Sequence, residues 1–82
     1  MRVIYFTASW CGPCKALKPA VQQVSSELGV PVEYIDVDQL KEYAQQYQIT
    51  SVPTLIGMNG TNQVFRHTGM ASISQLKSMF TK

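Results

Sequence analysis

Val3-Ile4-Tyr5-Phe6-Thr7-Ala8-Ser9-Trp10-Cys11-Gly12-Pro13-Cys14-Lys15 is the stretch that decides the architecture. Val3 to Phe6 is an unbroken β-branched and aromatic run, which reads as a strand covered on both faces. Thr7 to Gly12 turns the chain. From Pro13 to Leu28 the period changes: Leu17, Ala20, Val21, Val24 and Leu28 recur at spacings of three and four. They form one apolar helix face, with Lys15, Lys18, Gln22, Gln23 and Glu27 off it. Gly29 is suited to stop this helix, and Pro31 follows closely. Pro19 falls inside it and removes one backbone hydrogen bond, so a kink is expected there.

Outward from this unit, Val32 to Val37 reads as a second strand, and Leu40, Tyr43, Ala44 and Tyr47 as one face of a short helix. Two strands joined by a helix run parallel, with a right-handed crossover. Thr54 to Met58 and Gln63 to His67 are two short strands around Asn59-Gly60-Thr61-Asn62, a hairpin signal. Ile73, Leu76, Met79 and Phe80 mark a last amphipathic helix starting near Ala71 or Ser72. The order β-α-β-α-β-β-α contains no repeat and no linker. It predicts an α/β chain, a single domain over residues 1–82, with an open four-stranded mixed sheet and helices on both faces.

With 45% hydrophobic and 15% charged residues, the chain has the composition of a folded globular protein and is too apolar for a disordered one. Seven Lys and Arg against five Asp and Glu give a net charge of +2, spread along the sequence. That balance predicts no nucleic-acid partner and no attraction to an anionic membrane. No basic-then-apolar leader precedes Val3 and no apolar run approaches a membrane span, so a cytoplasmic location is expected.

The only two cysteines stand two residues apart. A bridge closing so short a loop removes little entropy from the unfolded chain, so local chemistry explains the pair better than stapling does. A structural zinc centre needs about four ligands, and besides Cys11 and Cys14 the chain offers His67 as its single histidine. No metal and no bound cofactor are expected. Placed between a strand and a helix, Cys11 sits near the helix N-terminus, where unpaired N–H groups and the macrodipole favour a thiolate. Cys14 lies one turn inside, able to attack a mixed disulfide formed on Cys11. Gly12 permits close approach of another chain, and Pro13 suits a first helical turn.

Trp10-Cys11-Gly12-Pro13-Cys14-Lys15 after a strand resembles the active-site motif of thioredoxins, and Ser51-Val52-Pro53-Thr54 and Gly69 fall where a thioredoxin has them. The resemblance implies a thioredoxin-like fold reduced to its minimal core, without the strand and helix that full-length members carry before the motif strand. It implies a protein-disulfide reductase with Cys11 as nucleophile and Cys14 as resolving cysteine. Pro53 would be cis and face the disulfide, while the Val52 backbone pairs with an extended substrate segment. Trp10, Gly12, Pro13, Val52, Pro53, Gly69 and Met70 would form the substrate-docking surface. The redox-active Cys11–Cys14 disulfide would be recharged by NADPH through a thioredoxin reductase, the partners would be disulfide-containing proteins, and the chain would be a monomer.

Two alternatives stay open at this point. A glutaredoxin-like, glutathione-dependent reductase fits the length, although Thr68-Gly69-Met70-Ala71 has one glycine where glutaredoxins have two. A binding module with incidental thiols is the other. Disulfide-forming oxidases usually carry histidine at the place of Pro13, which favours a reductant.

The sequence departs from the family at one buried position. Thioredoxins keep an aspartate beneath the resolving cysteine and a lysine beside it; here those places hold Tyr5 and Tyr34. A phenol is a poor base at neutral pH, so Cys14 is expected to resolve slowly there and faster as pH rises. Elsewhere, His67 reads as a solvated strand-end residue and Asp36 and Asp38 as solvated carboxylates. Tyr43, Tyr47, Met58 and Met79 read as packing residues.

Overall fold

The computed structural model describes residues 1–82. Seven elements follow in the expected order: β1 (Arg2–Thr7), α1 (Gly12–Leu28), β2 (Val32–Asp36), α2 (Lys41–Gln46), β3 (Thr54–Asn59), β4 (Asn62–Thr68) and α3 (Ile73–Phe80). The sheet order is β2-β1-β3-β4. β1 pairs parallel to β2 and antiparallel to β3, and β3 pairs antiparallel to β4.

β1 is central, and Val3, Ile4, Tyr5 and Phe6 are all buried, as an unbroken apolar run demands. Alternation sends its side chains into two layers. Val3 and Tyr5 join Leu17, Val21 and Val24 of α1, Leu55 and Phe65 of the sheet, and Leu76 and Phe80 of α3. Ile4 and Phe6 face the other way, with Ile35, Ala44, Ile56 and Met58, beneath α2. The rings of Tyr43 and Tyr47 are half-buried against Phe6, at centroid separations of 6.0 and 5.7 Å. α1 and α3 therefore cover one face and α2 the other.

Several boundaries differ from the sequence pattern for identifiable reasons. Leu28, the last residue of α1, is exposed, and Gly29, at φ 65°, turns the chain directly after it. α1 runs from Gly12 to Leu28 with Pro19 inside it; Pro19 leaves the Lys15 carbonyl without its intrahelical donor. β2 stops at Asp36, one residue early. The Asp36 carboxylate accepts hydrogen bonds from the backbone N–H groups of Asp38 (2.8 Å) and Gln39 (3.2 Å), bending the chain out of the sheet. The hairpin closes on two residues: Asn59 pairs with Asn62, and Gly60 takes φ 60° while Thr61 does not, the pattern of a II′ turn. At α3, Ser72 and Gln75 form a reciprocal capping box.

Candidate active site

Both cysteines lie where β1 hands over to α1. Cys11 is the N-cap of α1, with extended backbone (φ −90°, ψ 104°), and Gly12 and Pro13 are the first two helical residues. The Cys11 N–H donates to the Ala8 carbonyl (3.2 Å), fixing the turn Ala8-Ser9-Trp10. Cys14 stands at the third helical position, and its backbone N–H donates to Cys11 Sγ at 3.1 Å. Sulfur thus takes the role that a Ser or Asp oxygen plays in an ordinary N-cap, satisfying a helix-start N–H that has no intrahelical partner. The two sulfurs are joined in a disulfide across a Cα–Cα distance of 5.3 Å.

A nucleophile at a helix start, with its partner one turn inside, would ordinarily stand open to solvent. In this oxidised state both are covered, with Cys11 at 4% exposure and Cys14 at 1%. Ala8 completes the buried cluster, and Val37 and Val52 pack against it. Val37 belongs to no strand, yet its N–H donates to the Thr7 carbonyl (2.9 Å), which places its side chain beside the disulfide.

Val52-Pro53 is a cis peptide, as the family resemblance implied. The Pro53 carbonyl accepts a hydrogen bond from the Gly69 N–H at 2.9 Å, so two of the segments expected to dock substrate are tied together. Gly69 has φ 98°, a conformation open chiefly to glycine. Trp10 and Met70 are exposed, at 68% and 53%. Gly12 and Pro13 lie open on the first turn of α1. Trp10, Val37, Ile49, Thr50, Ser51 and Val52 enclose a hollow of about 120 Å³ beside the disulfide.

Tyr5 is fully buried, and its hydroxyl donates to the Cys14 carbonyl oxygen at 2.6 Å. Burial, with a smaller contribution from Tyr34, pushes the phenol up to about 12. Beneath the disulfide, therefore, stands a hydrogen-bond donor that stays neutral. The Tyr34 ring packs against Tyr5 at a centroid distance of 5.7 Å, tilted by 58°, and burial raises its phenol too. On the outer side of Tyr34 the Lys18 ammonium lies 5.2 Å from the ring centroid, a cation–π contact. Tyr5 and Tyr34 form a neutral aromatic filling where the family pattern has an ion pair, and the Lys18 ammonium caps it from outside.

Two residues read from sequence as merely solvated have partners here. Trp10 Nε1 donates to Asp38 Oδ2 at 2.7 Å, holding the exposed indole in one orientation. His67 is half-buried rather than solvated, its Nε2 lying 2.9 Å from the Met70 carbonyl oxygen. No local pattern signals the first contact, since its partners are 28 residues apart and meet through the turn that Asp36 builds. The spacing of three between His67 and Met70 is short enough to suspect, but only the path of the chain beyond β4 closes it.

The whole chain, residues 1–82, matches the family model for thioredoxin. The thioredoxin of Chlamydia trachomatis serovar D is 36% identical over 81 residues, covering 98% of this chain and 79% of that protein. The bifunctional thioredoxin reductase/thioredoxin of Mycobacterium leprae is 38% identical over 69 residues, 82% of this chain and 15% of that protein. Thioredoxin 1 from the thermophilic eubacterium Thermosipho africanus TCF52B superposes with a TM-score of 0.90 at 28% identity, covering 99% of this chain and 91% of that one. These similarities do not favour the glutaredoxin alternative. With a strand-to-helix Cys-x-x-Cys disulfide beside a cis-proline loop, on a mixed four-stranded sheet, the chain belongs to the thioredoxin family, and it is a protein thiol–disulfide oxidoreductase whose redox pair is Cys11 and Cys14.

Proposed function

We propose that the protein reduces protein disulfides in the cytoplasm as a monomer, with Cys11 attacking and Cys14 resolving. The observation that carries the division of labour is the N-cap position of Cys11, whose sulfur receives the Cys14 N–H at 3.1 Å. In the dithiol form that N–H and the helix N-terminus favour negative charge on Cys11 Sγ. The Cys11 thiolate attacks one sulfur of a substrate disulfide; a mixed disulfide forms and the other substrate sulfur leaves as a thiolate, which takes up a proton. Cys14 then loses its proton and attacks Cys11 Sγ, releasing the second substrate thiolate and forming the Cys11–Cys14 disulfide. Two electrons have passed to the substrate.

Trp10, Gly12, Pro13, Val52, Pro53, Gly69 and Met70 receive the substrate segment around its disulfide. The cis-proline loop presents the Val52 backbone for strand-like pairing, and Trp10 and Met70 supply exposed apolar area. Recharging runs from NADPH through a thioredoxin reductase. That reading draws support from the relative whose name joins a thioredoxin and its reductase.

Insulin reduction, driven either by NADPH with thioredoxin reductase or by glutathione with glutathione reductase, tests the proposal. Turnover with the first system, abolished in both Cys11→Ser and Cys14→Ser, is expected. Turnover with glutathione alone would overturn the recharging route. Absence of any insulin reduction by the intact dithiol would favour a binding module.

A further inference from the structure

The segment from β4 to α3 carries Gly69 and Met70 into the proposed docking surface, and it is anchored at three points. The Gly69 N–H is held by the Pro53 carbonyl, and the Ser72–Gln75 capping box holds the start of α3. Between them the Met70 carbonyl meets the ring of His67 at 2.9 Å. A carbonyl only accepts, so Nε2 must carry the hydrogen in this contact, whether the ring is neutral or protonated. Without His67 the Met70 peptide would have neither strand nor helix to fix it, because β4 ends at Thr68 and α3 begins at Ile73. Yet Met70 is among the most exposed large apolar side chains of the molecule. An exposed apolar side chain on a backbone pinned from below is the arrangement expected of a contact surface whose ordering cost is met before the partner arrives.

We infer that His67 is a positioning residue for substrate: by donating to the Met70 carbonyl it holds the Gly69–Met70 segment in the shape that receives the polypeptide flanking a target disulfide. This rests on the docking surface proposed above. His67 touches neither cysteine in this reading, and its effect falls on binding rather than on disulfide exchange.

The test is steady-state insulin reduction by the full chain, with NADPH and thioredoxin reductase, for His67→Ala, His67→Gln and Met70→Asp. Losing one positioning hydrogen bond should raise KM for insulin by about three- to tenfold in His67→Ala with kcat changed less than about twofold. Glutamine carries an amide donor on a side chain of similar reach, so His67→Gln should restore most of the KM. A purely structural role for the ring would move kcat and KM together and would not be rescued by glutamine; either result overturns the proposal. Met70→Asp probes the docking surface independently of His67. A raised KM there with an unchanged KM in His67→Ala overturns the inference and leaves the surface standing. If Met70→Asp leaves KM unchanged, the surface reading falls and the role of His67 falls with it.

Discussion

With Tyr5 beneath Cys14, the resolving step of this protein has no proton acceptor below it, and replacing Tyr5 tests that reading. The phenol is fully buried, pushed up to about 12, and engaged as a donor to the Cys14 carbonyl. At pH 8 roughly one molecule in 10⁴ would carry a phenolate, too few to serve as a base. Cys14 must therefore lose its proton to water or to the leaving thiolate. Its rate of attack on the mixed disulfide should rise with pH, because attack needs the thiolate. Tyr5→Phe keeps the ring and deletes the donor. Losing one buried hydrogen bond should cost about 0.5–1.5 kcal/mol, and each kcal/mol lowers Tm by about 4–8 °C in a domain of this size. The slope of resolution against pH should not change. Tyr5→Asp should speed resolution near neutral pH by supplying an acceptor, at a further cost in stability for burying a carboxyl group. Stopped-flow release of the second thiol from a preformed Cys11 mixed disulfide reads the step directly. A rate that is flat from pH 6 to 9, or one that collapses in Tyr5→Phe, would refute the reasoning.

Three further outcomes are expected. Because the folded state holds Tyr5 neutral, the unfolded chain ionises it first, near its ordinary value of 10; the stabilisation is complete below that pH and is lost as pH rises towards about 12. Denaturant titrations across this range should show the loss in the wild type and a smaller one in Tyr5→Phe. Asp38→Ala should change the emission of Trp10, the only tryptophan, and raise KM for insulin, with stability altered by no more than about 0.5 kcal/mol because the pair is exposed. Gly57→Ala should destabilise by about 1–3 kcal/mol, since a Cβ at Gly57 would overlap the Phe65 ring; thermal unfolding reads this, and a Tm within a degree of wild type would contradict it.

Glycine at 57 sits in a run of otherwise large apolar residues, and nothing in its neighbours shows that Phe65 lies across it. The same limit recurs at the active site. Period and turn residues yielded seven elements in order, because a central strand buried on both faces must be apolar throughout, a helix buried on one face must repeat every three or four residues, and glycine marks the turns between them. Spacing likewise put Cys11 at a helix start and Cys14 one turn on, since an α-helix has the same pitch wherever it occurs. These are local facts, and a linear sequence carries them in full. The burial of Cys11 by Val37 and Val52, the link from Trp10 to Asp38, and the clasp of His67 on Met70 are of another kind. Each depends on where a loop travels after its element ends, and that path is set by packing among segments far apart in sequence. Tyr5 joins the two: the sequence determined that a phenol replaces a carboxylate beneath Cys14, and only the tertiary structure decided that the phenol donates to the Cys14 carbonyl, because one buried acceptor lay within reach.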